Sequence, residues 1–198
     1  MKYTPFVKAG SQICDIPYTL IRVKNYEGKT LLVRRLKPPY PGHWNFLGGK
    51  IDAGESAKIS ALRELHEETG INRKCKSLNF CGISLWPAAN SDRFMGMYMF
   101  KTSVRSRKRN YSQMSMDDEG IYDWLDLHNY SATDLVPNAK VLDIAFTQGT
   151  SSNPIVLVHQ INDDQVCEYQ MFSIATSYNH ICDKVQGSNR VQLGALVR

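Results

Sequence analysis

Residues 55–69 restrict the fold more than any other stretch of the chain. On a wheel of about 100° per residue, Ile59, Leu62, Leu65 and Thr69 share one face. Glu64, Glu67 and Glu68 fall roughly opposite, at i, i+3 and i+4, and Gly70 follows as a stop signal. The pattern predicts a helix that packs its apolar stripe on a sheet while three carboxylates project from the far side. Like charges at this spacing repel by roughly a few tenths of a kcal/mol per pair. They also push at least one carboxyl toward protonation. A hard divalent cation such as Mg²⁺ or Mn²⁺ relieves the conflict, because it favours carboxylate and water oxygens. For the triplet alone, a solvated acidic face relieved by Lys58, Arg63 or His66 is the simpler account.

The neighbouring segments supply a sheet for such a helix. Residues 17–24 and 30–35 read as strands around the Glu27-Gly28 turn. Residues 36–48 form a loop rich in Pro and Gly, whose Tyr40, His43, Trp44, Asn45 and Phe46 suit a binding surface. Strands are predicted at 77–85, 94–102 and 120–125, with a helix near 138–147. A further strand pair, 154–159 and 165–173, is joined by the Asn162-Asp163-Asp164 turn. The last ~20 residues are weakly patterned.

A length of 198 residues favours one domain with a full core, and 42% apolar with 22% charged residues is ordinary for a soluble globular chain. No run of about 18 apolar residues predicts a membrane span. Met1 to Asp15 does not read as a signal peptide. The five cysteines, Cys14, Cys75, Cys81, Cys167 and Cys182, show no close CxxC spacing, so reduced thiols in a cytoplasmic protein are expected. The net charge of +5 suits polyanionic substrates without singling one out. Much of it lies in Arg105 to Arg109, which reads as a solvated hairpin loop ahead of an RNA contact.

Read outward from the acidic helix, Gly49 is followed after five residues by Glu55, and after seven more by Arg63-Glu64-Leu65-His66-Glu67-Glu68-Thr69-Gly70-Ile71. This resembles the Nudix box, Gly-x5-Glu-x7-Arg-Glu-U-x-Glu-Glu-x-Gly-U with U aliphatic, at every fixed position. A chance match at one start is on the order of 10⁻⁹ or less at ordinary residue frequencies. The resemblance covers residues 49–71 in the box and about 17–148 in element order. It implies an α/β Nudix α/β/α sandwich with a mixed β-sheet and a C-terminal extension. The Nudix domain is expected over residues 1–150. Residues 151–198 are expected to be an extension packed on the same domain. Trp44 to Asp52 is similar to the MutT-type branch. Residues 154–173 are more weakly similar to an extension of bacterial oxidised-dGTP diphosphatases.

The resemblance implies that Glu64, Glu67 and Glu68 share a divalent metal, Mg²⁺ or Mn²⁺, and activate water, with Glu64 and Glu68 the first candidates for the base. It adds the Gly48 carbonyl as a metal ligand, and Glu119 as the acidic residue from outside the box. Turn chemistry competes for the Asp117-Asp118-Glu119 segment. Arg63 is expected to pair with Glu55 or to orient a ligand carboxylate. Lys50 either contacts a phosphate or is a solvated loop lysine. Phe46 resembles a base-stacking position, with core packing as its alternative. Asn138 resembles an asparagine that reads an oxidised guanine, with helix N-capping as its alternative. Arg93 resembles a nucleotide-binding arginine between two strands. Arg35, or Arg34 on the opposite strand face, is placed to reach phosphate.

The expected activity is metal-dependent hydrolysis of a nucleoside triphosphate, such as 8-oxo-dGTP, to a monophosphate and pyrophosphate. The alternatives are ADP-ribose, another nucleotide sugar, a dinucleotide or RNA 5′ ends, with Pro87 as a faint pointer to ADP-ribose. From another class comes a non-catalytic nucleotide-binding module. The expected partner is a small nucleotide, with RNA less favoured, a homodimer left open and no membrane.

Overall fold

Alternation along two strands builds a core on each face of one sheet. The computed structural model describes residues 14–89, 92–104, 120–131, 134–163 and 167–173. In β1 (Cys14–Lys24) and β2 (Thr30–Arg35), Ile21, Val23, Leu31 and Val33 pack with Ala61 and Leu65 of α1 (Ala57–Thr69). Leu20 and Leu32, one residue out of phase, pack instead with Leu142, Ala145 and Phe146 of α2 (Ala139–Gln148). Successive strand side chains point to opposite faces, so the two helices cover opposite sides of the sheet. This is the expected α/β/α arrangement.

The other strands are β3 (Trp44–Asn45), β4 (Asn79–Pro87), β5 (Phe94–Ser103), β6 (Gly120–Leu125), β7 (Ile155–Ile161) and β8 (Cys167–Ser173). The sheet runs β3-β2-β1-β5-β4-β7-β8, with β6 paired to β2. It is mixed: β1 runs parallel to β5 and β4 to β7, while the remaining pairs are antiparallel. A buried ion pair ties β1 to α2, with Arg22 Nη1 2.7 Å from Asp143 Oδ1 and its guanidinium over the Phe146 ring.

The expected elements fall within a few residues of the observed ones, and the reasons are local. The helix expected from residue 55 begins at Ala57 because Ser56 caps it, its side chain accepting from the Ile59 N–H. Gly70 ends it in the left-handed conformation at φ 64° and donates to the His66 carbonyl. The face assignment needs correction. Ser60, Ala61, Leu65 and Thr69 are the buried positions, whereas Ile59 is 49% exposed. Ala61, Leu65 and Thr69 form one i, i+4 row against the sheet, and Ser60, Glu64 and Glu68 form the next row round. Glu64 and Glu68 therefore flank the packed face instead of opposing it, and among the three only Glu67 points outward.

Arg105–Arg109, Glu119, Asp164, Cys182 and the C-terminal tail lie outside the described residues. Cys14, Cys75, Cys81 and Cys167 are free thiols. Among the described residues no helix is long and apolar enough to cross a membrane.

Candidate active site at the glycine loop and the acidic helix

The loop that precedes α1 is stitched to β1. Ile21 donates to the Leu47 carbonyl, Thr19 to Gly49 and Ile51 to Pro17, each at 2.8 Å. The carbonyls of Leu47 and Gly49 thereby face β1. The Gly48 carbonyl accepts no hydrogen bond among the described residues. Two glycines make this close passage feasible, for different reasons. Gly48 has φ 134°, and a Cβ there would lie 2.2 Å from the Thr19 carbonyl oxygen. A Cβ on Gly49 would lie 2.4 Å from the Glu64 Cδ, so the Glu64 carboxylate rests directly on that glycine.

Glu68 reaches the same loop from the next turn of the helix, where its Oε2 accepts from the Gly48 N–H at 3.2 Å. Glu64 and Glu68 thus converge on Gly48-Gly49 from one row of α1. Arg63 gathers the surrounding acids. Its Nε and Nη2 form a fork on Glu55 at 3.2 and 3.0 Å, and its Nη1 reaches Glu64 at 2.8 Å and Glu67 at 3.0 Å. Nη2 also donates to the Lys50 carbonyl at 3.1 Å, which ties helix to loop. The pairing expected between Arg63 and Glu55 is present. Hydrogen bonding to Arg63 lowers the Glu55 pKa, and Glu55 in turn raises that of Arg63. Burial pushes the Glu64 carboxyl up, against the pull of Arg63.

These groups fit a hard cation by their donor chemistry. Glu64 and Glu68 contribute carboxylate oxygens, and the Gly48 carbonyl offers a third. Beside them Thr19, only 2% exposed, carries a buried hydroxyl with no hydrogen-bond partner. A buried hydroxyl without a partner is costly unless an ion or water compensates. Among the described residues no three acidic, histidine or cysteine side chains already converge on one point. The reason is visible: Arg63 draws Glu64 and Glu67 toward itself while the Gly48 amide holds Glu68.

The remaining candidates separate into groups. Lys50 is exposed on the loop, adjoining the site. Phe46 is 2% exposed and packs on Phe146 with ring centroids 5.0 Å apart, which places it in the core beneath the site. Arg35 is spent on its own loop, donating to the Pro39 and Pro38 carbonyls at 2.7 and 3.0 Å. Arg34 likewise donates to the Gly42 carbonyl at 3.0 Å. Arg93 pairs with Asp15 at 3.3 Å at the N-terminal end of β1, two residues before Pro17, which accepts from the loop. Asn138 precedes α2, and its side chain makes no capping bond. Its amide Nδ2 meets His159 Nε2 at 3.0 Å.

Four residues near Asn138 were not legible beforehand: Tyr18, Ser84, Trp86 and His159. The Tyr18 and Trp86 rings stack at 6.4 Å, and Trp86 lies 5.9 Å from the His159 ring. Their alternation within strands announced buried faces, but nothing in the sequence marked these faces as polar or shared.

Comparison with known proteins bears on the same region. The family profile for the NUDIX domain matches residues 17–146. An uncharacterized Nudix hydrolase of Bacillus subtilis, YvcI, is 29% identical over 118 residues, covering 59% of this chain and 71% of its own. Shorter matches are a candidate 8-oxo-dGTP diphosphatase of Bacillus subtilis, 46% identical over 50 residues, and an ADP-ribose pyrophosphatase of Methanocaldococcus jannaschii, 38% identical over 52. Each covers about a quarter of this chain, at 25% and 26%, and under a third of the relative, at 32% and 31%. This chain spans only 20% of another relative, the octanoyltransferase of Myxococcus xanthus. Among solved structures, a MutT protein from Bacillus halodurans superposes with a TM-score of 0.58 at 21% identity, covering 78% of this chain and 95% of that one.

Proposed function

We propose that this chain, which belongs to the Nudix family of hydrolases acting on nucleoside diphosphate-linked compounds, cuts a nucleoside triphosphate of the 8-oxo-dGTP kind into a monophosphate and pyrophosphate. The observation that carries this reading is the meeting of Glu64 and Glu68 at the Gly48-Gly49 loop, with Arg63 organising the acids behind them. The short match to the candidate 8-oxo-dGTP diphosphatase favours the substrate class.

In this reading Gly48, Glu64, Glu67 and Glu68 hold Mg²⁺ or Mn²⁺, with Glu119 as a further acid. Held there, the cation would neutralise charge on the phosphate oxygens. Glu68, anchored by the Gly48 amide, orients the attacking water, and Glu64 or Glu68 accepts its proton. The water oxygen bonds to phosphorus as the bridging P–O bond breaks, and pyrophosphate leaves with that electron pair. Arg63 keeps its fork on Glu55, holding α1 against the loop and Glu64 in register. Lys50, exposed on the adjoining loop, is the cation proposed to contact a phosphate.

The direct test is incubation with 8-oxo-dGTP and Mg²⁺, with product analysis. Monophosphate plus pyrophosphate is expected, and no monophosphate would reject the substrate class. Glu68→Gln is expected to abolish turnover with the fold intact. Unchanged hydrolysis and cation affinity in that variant would reject the catalytic assignment in favour of a binding-only protein. Cation binding has its own readout. At 100 times its dissociation constant, Mg²⁺ should add about 3 kcal/mol to stability, and EDTA should remove it. Glu64→Gln should blunt that gain.

The runner-up keeps the chemistry and changes the substrate to ADP-ribose, another nucleotide sugar, a dinucleotide or RNA 5′ ends. The short match to an ADP-ribose pyrophosphatase favours it. Rapid turnover of ADP-ribose with none of 8-oxo-dGTP would install it. A cytoplasmic location goes with either reading, supported by the four free thiols among the described residues.

A further inference from the structure

A continuous path of rings leads from the glycine loop to Asn138. Lys50 bridges to Tyr18 through the backbone, the Tyr18 ring stacks on Trp86, Trp86 lies on His159, and His159 meets the Asn138 amide. The path crosses β1, β5, β4 and β7, three strand spacings or about 14 Å. Tyr18, Trp86 and Asn138 are half-buried, so the path borders solvent, whereas Ser84 and His159 are buried beneath it. A planar ring bound along this path, with its phosphates at Gly48 and Glu68, would present an edge to Asn138.

An asparagine alone is an ambiguous reader, since its amide can turn over and offer either a donor or an acceptor. Here the amide is held from below by His159. Ser84 Oγ lies 3.2 Å from His159 Nδ1, and Asn138 Nδ2 lies 3.0 Å from His159 Nε2. With Asn138 Nδ2 facing it, Nε2 is the acceptor, so the ring proton sits on Nδ1 and is donated to Ser84 Oγ. The reversed amide would set two acceptors against each other in a buried site. Asn138 Oδ1 then has no partner among the described residues.

We propose that His159, hydrogen-bonded to Ser84, is a positioning residue that holds the Asn138 amide with its oxygen outward, so that the site selects a heteroaromatic base whose edge presents an N–H donor. The inference rests on the nucleotide-hydrolase reading and deepens it by naming the recognition chemistry. His159 lies on β7, beyond residue 146 where the family match ends. The device therefore belongs to the segment that follows α2. Burial keeps the imidazole neutral, its pKa pushed down to about 4, so the donor-acceptor pattern holds at neutral pH. No charged side chain contributes to that shift, and Ser84, Trp86 and Asn138 are the groups in contact with the ring.

The test is equilibrium binding by calorimetry, which needs no turnover. The probes are the 5′-monophosphates of 8-oxo-deoxyguanosine, deoxyguanosine, deoxyadenosine and purine riboside, the last having no N–H on its ring. The wild-type chain is expected to bind its tightest N–H-bearing base at least 10-fold better than purine riboside monophosphate. His159→Phe is expected to reduce that ratio about 10-fold while purine riboside affinity changes less than 2-fold. Ser84→Ala should reduce it less. His159→Gln, whose carbonyl can replace the Nε2 acceptor, should restore most of it, and thermal melts of the three variants exclude misfolding. Equal weakening of all four ligands in His159→Phe, or no change in the ratio, would overturn the inference. A wild-type chain that binds these nucleotides without discriminating would overturn it alone. A wild-type chain that binds none of them would overturn the proposed function as well.

Discussion

At the scale of single residues, the two adjacent glycines of the loop separate stability from activity. A methyl at residue 48 meets backbone: the Thr19 carbonyl would be 2.2 Å away, and φ 134° is strained for any L side chain. Neither can yield cheaply, so Gly48→Ala should lose about 2 to 4 kcal/mol in chemical denaturation. A methyl at residue 49 meets the far end of a flexible side chain, the Glu64 carboxylate. Gly49→Ala should therefore fold nearly as well as wild type, within about 1 kcal/mol, yet lose about 100-fold in kcat/KM because the carboxylate is displaced. Equal activity in Gly49→Ala and wild type would mean that Glu64 does no chemistry from this position. His159 gives the second residue-scale expectation. Its folded pKa of about 4 lies below the unfolded value near 6.5, so the unfolded chain takes up the proton first as pH falls. Stability is unaffected above pH 6.5 and declines from there to pH 4, by about 3 kcal/mol in all. His159→Gln should lack this part of the acid sensitivity, and unfolding curves at pH 7, 5.5 and 4 measure the difference. The acids of the box were readable from spacing alone. His159 was not, because a lone histidine in an alternating strand looks like any other inward residue until α2 and β4 are brought beside it.

At the scale of elements, Arg63 decides how α1 meets its loop. One guanidinium serves Glu55, Glu64, Glu67 and the Lys50 carbonyl, which an ammonium cannot do because it lacks the planar fork. Arg63→Lys should keep a single carboxylate contact and let the loop drift from the helix. The cost to stability should be small, about 1 kcal/mol, because the Arg63 side chain is 27% exposed and solvent screens its pairs. The cost to kcat/KM should be about 10- to 100-fold, since Glu64 loses its register. A stability loss without a kinetic loss would reduce Arg63 to a tie between helix and loop. The helix itself shows how far periodicity reads. Its span, to within two residues, and its C-terminal stop followed from the 3.6-residue period and Gly70, whereas the Ser56 cap emerged only in the structure. Its orientation did so only in part, because Ile59 suggested a face that the sheet does not use, while Leu62 stays at the edge of the packed one. Small residues, Ser60 and Ala61, are what permit the close approach to β1, and hydrophobicity alone ranks them below Ile59. That shift of face changes the meaning of the acids. Carboxylates opposite the core would be solvated, whereas Glu64 and Glu68 beside it face a backbone loop.

At the scale of the whole molecule, the question is whether β7 and β8 are an appendage or part of the folding unit. β7 extends the sheet by pairing in parallel with β4, with Ile83 opposite Val156 and Leu85 opposite Val158. Its Ile155, Leu157 and Val158 are buried, and Ile155 and Leu157 belong to the same core as Phe46, Leu142 and Phe146. β7 follows α2 in the chain, and the long connection from β4 that includes α2 is what lets β7 pair with β4 in parallel. The sequence announced two strands here by alternation and a polar turn, but it held no sign of which edge they would join, since register and neighbours are set by long-range packing. Burial of three such side chains is worth about 1.5 to 3 kcal/mol each, which together is comparable to the entire stability of a domain of this size. Removing residues 150–198 would also leave the β4 edge unpaired and the buried Ser84 hydroxyl without His159. The truncated chain is expected not to reach a cooperative folded state at 25 °C. Circular dichroism melts and hydrogen exchange across residues 79–87 would check this. A truncated chain that melts cooperatively, within a few degrees of the full chain, would show the extension to be dispensable to the fold. His159 could then be studied as a later addition to an independent domain.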